Sequence, residues 1–361
     1  MLQDDDEDDG TNDLDSVRGD GSASSSDLLA ALIRSCTQSE LSADGDVAVD
    51  MGAAAYAAAV AVNTDSARAS DVFTAMIEAW AHTKHAETRS KWTPAKQTQR
   101  AEEAFRVLDT MRSMGVEPDQ STFNALMSVC AVYTDPNLAL STFDMMKYHR
   151  IEPDHTTFTH LIGSCGTDAK MARQVFDDYF LKSGLPPAVS VFEALVQACA
   201  AAGDLESAAA TLQELEEQPG MMPTDACHDA MLHAAAATIR ATSTAALLPA
   251  DDSADGSSVQ MHDRAVGVAV ETLQCMHDEG RRPGALAVLS LLYALEGTPL
   301  VAESSDKAGQ QRRSVLEAVQ SWVTVTVDPT HQLRWNGRTP TQRREQQREF
   351  QLVCNRLWHP L

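Results

Sequence analysis

Three stretches of the sequence share one pattern and follow each other at an almost constant interval. They are FNALMSVC, FTHLIGSC and FEALVQAC, and they begin at Phe123, Phe158 and Phe192. Self-similarity with a period of about 20–50 residues is typical of repeat arrays, in which each copy packs only against its neighbours. The pattern therefore predicts a stack of similar units along this part of the chain.

Each unit contains two apolar stripes with the spacing of a helix face. The first stripe, within 120–131, has apolar side chains at i, i+3, i+4 and i+7. These are Phe123, Leu126, Met127 and Cys130. A second stripe follows in 137–147, and Pro136 between the two interrupts a continuous helix because proline has no amide N–H. One such hairpin cannot bury its stripes alone, so the sequence predicts an all-α fold of stacked antiparallel hairpins.

The cysteines fit this packing role. Three of the seven occupy one repeat position, Cys130, Cys165 and Cys199. No two cysteines have C-x-x-C spacing, and their odd number argues against a disulfide framework. We interpret them as small apolar fillers of helix faces and predict no metal site and no cofactor.

The charges and low-complexity stretches suggest how the chain is divided. The formal net charge is −24, and residues 1–24 are predicted to be a disordered acidic tail. The repeat array is predicted for 25–297, with loop insertions at 83–100, which is locally basic, and at 241–260. Residues 298–361 are predicted to form a helical C-terminal extension or cap, basic at its end. No membrane-spanning segment is expected, because no run of about 18 uncharged apolar residues with membrane character occurs.

The repeat resembles the pentatricopeptide repeat, which opens aromatic-Asn/Thr-x-L-I and closes A-x-x-x-F-x-x-M-x-x-x-G-x-x-P-D. The closing pattern is matched in the third repeat (120–154) by Ala139, Phe143, Met146, Pro153 and Asp154. It is matched one repeat earlier by Met111, Gly115, Pro118 and Asp119. The resemblance implies a P-type-like array of about six to seven degenerate repeats, folded as a right-handed α-solenoid superhelix.

The same resemblance implies binding of single-stranded RNA, with one base contacted by two or three side chains of each repeat. We call the residue after the aromatic the first base position and the last residue of the repeat the second base position. The RNA-binding residues implied in this way are Thr74 and Asp119 in the second repeat, Asn124 and Asp154 in the third, and Thr159 in the fourth. The Thr-Asp and Asn-Asp pairs are combinations associated with G and U.

Three further pairs depart from the family pattern. They are Thr159 with Ala188, Glu193 with Thr224, and Asp229 with Gly284. The array also lacks a row of basic residues near the ends of its first helices, and neutralised phosphates provide much of the affinity for nucleic acid. Asn and Thr in a first helical turn, and the Pro-Asp pairs, are also ordinary helix-start residues.

Two classes of function stay open. The first is a non-catalytic RNA-binding adaptor in organellar RNA processing, stability or translation, located in a mitochondrion or plastid by family resemblance. The acidic start is unlike a transit peptide, so a cytoplasmic location stays open. The second is a helical-repeat scaffold that binds proteins. Clustered carboxylates of a metallonuclease are not found after residue 298, so no enzyme is predicted.

Overall fold

The computed structural model describes residues 25–38, 69–81, 94–245, 257–296, 344–350 and 352–353, and positions 315, 317 and 319. Every regular element in these residues is a helix, which confirms the predicted all-α class. Within them, no helix has both the length and the apolar character needed to cross a bilayer. The predicted acidic tail at 1–24 lies outside the described residues.

The chain divides into two compact units, Met1–Lys96 with Glu102–Pro118, and Gln97–Ala101 with Asp119–Leu361. In the first unit, helix α1 (Ser25–Gln38) packs against α2 (Ser70–Ala81). Its core contains Ala30, Ile33, Val72 and Ala75. Arg34 Nε donates to Glu78 Oε2 at 2.8 Å beside this core. Helix α3 (Pro94–Ser113) carries residues of both units.

The second unit contains nine described α-helices up to residue 296. They are α4 (Gln120–Tyr133), α5 (Pro136–Tyr148), α6 (His155–Gly163), α7 (Ala169–Val175), α8 (Val189–Ala201), α9 (Leu205–Glu216), α10 (Asp225–Ala245), α11 (Ser257–Asp278) and α12 (Ala285–Glu296). After α7 the chain continues through a π-helical turn (Phe176–Phe180) and a 3-10 turn (Leu181–Ser183). Further helical residues occur at 344–350.

These helices form an α-solenoid. The first helices of successive repeats, α4, α6, α8, α10 and α12, pack each against the next. The second helices, α5, α7, α9 and α11, each pack against the first helix of their own repeat. Phe123, Phe158 and Phe192 lie at equivalent positions of α4, α6 and α8, and all three are buried. The predicted stack of helix hairpins is therefore confirmed for the described second unit.

A continuous series of aromatic contacts joins the third, fourth and fifth repeats. The ring of Phe158 lies 5.6 Å from that of Phe143 and 5.4 Å from that of Phe180. Phe176 continues the series, 5.3 Å from Phe180 and 5.1 Å from Phe192. The rings meet edge-on or tilted, the arrangement favoured by aromatic quadrupoles. The π turn, which the sequence pattern did not predict, contains both Phe176 and Phe180.

Aspartates begin many of these helices. Those whose side chains accept a backbone N–H of the first turn are Asp119, Asp135, Asp154, Asp168 and Asp204. A carboxylate at this position satisfies an N–H that has no partner inside the helix and interacts favourably with the helix dipole. Part of the acidic composition of the chain therefore has a structural purpose.

In the second to sixth repeats, the segment after the second helix contains a left-handed residue four positions before the second base position. These residues are Gly115, Arg150, Gly184, Gly220 and Gly280. In the third repeat the residue is Arg150, with φ 58°. The amide of Ile151 donates to the carbonyl of Met146 at 3.0 Å, as in a Schellman motif. In the third repeat this turn ends α5 and leads the chain to Asp154 at the start of α6.

The prediction of a loop insertion at 83–100 is wrong for residues 94–100, which are helical. Helix α3 begins at Pro94 rather than at 101. Proline suits the first helical position because its φ is preset and the N–H that it lacks would have no helical partner there. Arg100, which was expected in a basic loop, is 3% exposed, and its Nε donates to the Tyr133 hydroxyl at 3.3 Å. Residues 83–93 lie outside the described residues.

The insertion predicted at 241–260 is also shorter. Helix α10 continues to Ala245 and α11 begins at Ser257, so only 246–256 lies outside the described residues. The Thr242 hydroxyl lies 2.9 Å from the Thr238 carbonyl and 3.0 Å from His262 Nδ1. Its bond to the carbonyl four residues earlier satisfies the hydroxyl within the helix, and its contact with His262 joins α10 to α11.

Replacement of Phe158 by alanine should lower the free energy of unfolding by about 3–5 kcal/mol, because a fully buried ring between two repeats would leave a cavity. Urea denaturation followed by circular dichroism measures this change. Tyr148→Ala is the matched control, since Tyr148 is 85% exposed and its loss should cost within about 0.5 kcal/mol. Equal losses for the two variants would contradict the packing described.

The repeated cysteines should resist alkylation in the folded protein. Burial raises the pKa of Cys130 to about 12 and the pKa values of Cys165 and Cys199 to about 11. The thiolate is the reactive form, so at pH 8 these thiols should react only after unfolding. Peptide mass spectrometry after timed labelling measures the rates, with the half-buried Cys275 as the comparison. Labelling of the three at the rate of Cys275 in native buffer would contradict this prediction.

Candidate nucleic-acid interface

The two base positions of the third repeat are in direct contact. Asn124 lies on α4, and Asp154 precedes α6, the first helix of the next repeat. The Asn124 amide Nδ2 is 3.2 Å from each carboxylate oxygen of Asp154. Stacking of α4 against α6 therefore brings together two side chains that are 30 residues apart in sequence.

A third side chain, which the sequence analysis did not identify, completes this group. The Thr157 hydroxyl donates to Asn124 Oδ1 at 2.7 Å. Thr157 and Asp154 also form a capping box, in which Asp154 Oδ1 accepts the Thr157 N–H at 2.8 Å and the Asp154 N–H donates to the Thr157 hydroxyl at 3.1 Å. The D-x-x-T pattern at 154–157, repeated at 119–122, is the sequence signal that could have revealed it.

The pair retains hydrogen-bonding capacity for a ligand. A primary amide has two N–H groups and an oxygen with two lone pairs. The Asn124 nitrogen contacts only the Asp154 carboxylate, and its oxygen accepts a bond from Thr157, among the described residues. Both side chains are half-buried. The arrangement fixes the amide orientation while leaving donor and acceptor sites for a base edge.

The same juxtaposition occurs in the fifth and sixth repeats. The Thr224 hydroxyl donates to Glu193 Oε2 at 2.8 Å. The Gly284 N–H donates to Asp229 Oδ1 at 2.7 Å. A Cβ at Gly284 would overlap the Asp229 carboxylate, so this close approach needs glycine. The pairs that depart most from the family pattern are thus brought together as well.

The fourth repeat differs. The Thr159 hydroxyl donates to the His155 carbonyl at 2.8 Å, a bond within its own helix. Its partner in the predicted pair, Ala188, begins α8 without a side-chain cap because it has no polar group. Thr159 is half-buried, so it stays a predicted RNA-binding residue without a polar partner at the second base position.

The two residues predicted for the second repeat fall in different compact units and are described separately. Thr74 lies on α2 in the first unit and is 2% exposed. Asp119 is exposed and caps α4 in the second unit, accepting the Thr122 N–H at 2.8 Å. Their RNA-binding role stays a prediction.

Several cations of the second unit are paired with acids. Arg173 Nη1 is 2.8 Å from Glu214 Oε1, and Arg264 Nη1 is 2.7 Å from Glu206 Oε1. Lys182 Nζ is 2.6 Å from Asp178 Oδ1. These charges are largely neutralised in the free protein. Phosphate binding by them would therefore have to compete with carboxylates of the same chain.

Comparison with known proteins gives a family match for part of the chain. Residues 94–133 and 106–168 match the pentatricopeptide repeat domain. No curated protein matches the chain. The matched residues include Asn124, Asp154 and Thr157, so they contain the best-formed pair of base positions.

Solved structures of pentatricopeptide repeat proteins also resemble the chain. The PPR domain of Arabidopsis thaliana protein-only RNase P 1 in complex with tRNA is 19% identical, with 55% of this chain and 93% of that chain covered and a TM-score of 0.39. PPR10 in complex with an 18-nt psaJ RNA element is 18% identical, with 90% and 46% covered and a TM-score of 0.40. PPR10 from maize is 18% identical, with 90% and 54% covered and a TM-score of 0.36.

The chain thus spans about half the length of the PPR10 structures. Three independent features agree with the family match over 94–168: the 34- to 35-residue interval, the stacked helix hairpins, and the contact between Asn124 and Asp154. Residues 94–168 of the chain are therefore similar to pentatricopeptide repeats.

Proposed function

We propose that the protein is an RNA-binding adaptor that contacts single-stranded RNA through the base positions of its repeats, one repeat for each base. The observation that carries the proposal is the contact between Asn124 and Asp154 within the segment that matches the family. Repeats of this kind contact one base with two or three side chains. Asn124, Asp154 and Thr157 form a group of that size.

The chemistry of this group suits a base edge. The Asn124 amide can donate and accept, while the Asp154 carboxylate accepts from a base N–H. Uracil presents one N–H between two carbonyl oxygens. The N–H can donate to the Asp154 carboxylate, and a neighbouring carbonyl can accept from the Asn124 amide beside it. The Thr157 hydroxyl holds the amide oxygen, so the Asn124 side chain is oriented before RNA arrives. A preoriented group loses less conformational entropy on binding.

The fifth and sixth repeats suit RNA less well. Their first base positions, Glu193 and Asp229, are acids whose carboxylates already accept hydrogen bonds from Thr224 and Gly284. A carboxylate near the phosphate backbone repels it. We therefore assign base preference mainly to the second and third repeats.

The same proposal places the protein in organellar RNA processing, stability or translation, in a mitochondrion or plastid, on family resemblance alone. It gives the chain a binding role and no catalytic one. A second candidate, a scaffold for proteins, is favoured by the net charge of −24 and by the paired arginines at 173 and 264. The two candidates differ in whether the chain binds RNA.

Changing Asn124 to Thr should move the preferred base of the third repeat from U toward G. The reason is that Thr with Asp is the combination associated with G and already present at Thr74 and Asp119. The altered preference should amount to about 1–3 kcal/mol, the size of a good base contact. Electrophoretic shift of short single strands that differ at one base measures it.

Ser128→Ala is the matched control, because Ser128 lies on the same helix and bonds only the Ala125 carbonyl among the described contacts. Asp154 is unsuitable as the first variant, since its loss would also remove a helix cap worth about 1 kcal/mol. Unchanged base preference in Asn124→Thr would mean that these positions do not select the base. Absence of RNA binding below about 10 µM at low salt, which is the weak non-specific range expected for a basic patch, would favour the scaffold instead.

Removal of four basic residues should weaken binding to all RNA sequences alike. These are Lys84, Arg89, Lys91 and Lys96, in the basic segment that precedes and begins α3. Each phosphate contact on single-stranded nucleic acid contributes about −0.7 to the slope of log affinity against log salt concentration. If all four side chains contact phosphates, their replacement by glutamine should flatten the slope by about 2.8. An unchanged slope would exclude this segment from the interface.

A further inference from the structure

Three potential metal ligands meet in the sixth repeat, on the helix pair α10 and α11. They are His228 of α10, Cys275 of α11 and Glu279 directly after α11. One ligand atom from each lies within 4.8 Å of the other two. Cys275 and Glu279 are four residues apart, on one side of the helix end, while His228 is brought to them by packing of α10 against α11.

The histidine of this cluster has no hydrogen-bond partner among the described residues. Its ring is 2% exposed, and neither Nδ1 nor Nε2 makes a hydrogen bond there. Nε2 lies 3.9 Å from Glu279 Oε2, which is too long for a hydrogen bond. A buried polar group without a partner costs free energy, so such a group usually has a ligand, an ion or a water in the functional protein. Nε2 therefore lies near Glu279 without bonding it, and one ring nitrogen lies within 4.8 Å of both other ligand atoms.

We propose that His228, Cys275 and Glu279 bind a zinc ion that joins the two helices of the sixth repeat. Imidazole nitrogen, thiolate sulfur and carboxylate oxygen are the three ligand types that zinc accepts in proteins. Ligand bonds of about 2.0–2.3 Å in a tetrahedron place the ligand atoms roughly 3.3–3.8 Å apart. The Cys275 Sγ to Glu279 Oε1 distance is 3.6 Å, and His228 Nε2 lies 3.9 Å from the other oxygen of the same carboxylate, Oε2. The three ligand atoms lie within 4.8 Å of one another, so side-chain movements of about 1 Å complete the site.

Arg281 fits the site as a partner of the liganding carboxylate. Its Nε donates to Glu279 Oε2 at 2.7 Å, and its Nη1 donates to the Pro223 carbonyl at 2.5 Å. Glu279 Oε1, on the side of Cys275, remains able to bind the ion. Carboxylates that bind metals are commonly held by such outer hydrogen bonds. Arg281 therefore orients Glu279 and partly offsets its negative charge.

Zinc binding breaks the Cys275 S–H bond, forms a Zn–S bond and releases the proton to solvent. The His228 ring binds through a nitrogen lone pair, and water occupies the fourth position of the tetrahedron. The ion would link α10 to α11, the two helices that precede and follow residues 246–256. It would also fix residues 279–284, which lead to Gly284 at the second base position. The site does not depend on RNA binding.

The experiment measures zinc affinity of the full-length chain after treatment with EDTA, under reducing conditions, by competition with a chromophoric chelator. Wild type should bind one zinc ion at this site. His228→Gln, Cys275→Ser and Glu279→Gln should each lower the affinity at least about tenfold, a loss that even an outer partner of a metal site can cause. Cobalt in place of zinc should give sulfur-to-cobalt charge-transfer absorption that Cys275→Ser abolishes. Zinc should also slow alkylation of Cys275 and raise the melting temperature of wild type but not of Cys275→Ser.

His277→Gln is the matched control, since His277 is an exposed histidine of α11 that lies in sequence between Cys275 and Glu279. Cys275 is only half-buried, so its replacement by serine leaves the core intact, and circular dichroism verifies the fold of each variant. The proposal is overturned if Cys275→Ser binds zinc as tightly as wild type, if cobalt gives no sulfur band, or if His277→Gln loses as much affinity as His228→Gln.

Discussion

The junction between consecutive repeats depends on one hydrogen-bonded carboxylate. Asp154 ends the third repeat, caps the first helix of the fourth through the Thr157 N–H, and holds the Asn124 amide across the junction. The cap fixes where α6 begins, and the contact with Asn124 fixes how α6 lies against α4. A side chain that starts a helix thereby also places the pair that we propose to contact a base.

This dual role changes the meaning of the acidic composition. Five aspartates of the described second unit cap helices, and glutamates pair with Arg173, Arg264 and Arg281. A charge of −24 is therefore partly the consequence of how the repeats begin and pack. For an RNA-binding role it also means that affinity must come from a few places, such as the 83–100 segment and the contacts at Asn124 and Asp154.

Between the junctions, the stack is stabilised by burial rather than by charge. Phe158 contacts Phe143 of the preceding repeat and Phe180 of its own. Phe176 contacts both Phe180 and, in the following repeat, Phe192. Since each repeat buries its apolar stripe only against its neighbours, loss of one ring affects the two adjacent interfaces. The sixth repeat is interrupted by 246–256, and there the cluster of His228, Cys275 and Glu279 offers a second means of joining the helices.

The sequence by itself determined the period, the helical faces and the burial of Phe123, Phe158 and Cys130, because helical spacing of apolar residues is a local signal. Family resemblance pointed to Asn124 and Asp154 as a pair. Only the tertiary structure revealed that Thr157 joins that pair, that Arg100 is buried against Tyr133, and that His228 meets Cys275. Residues on separate helices come together through the angle and register of packing. The packing angle and register depend on the sum of contacts among many side chains, so they cannot be predicted from residue spacing within a single helix.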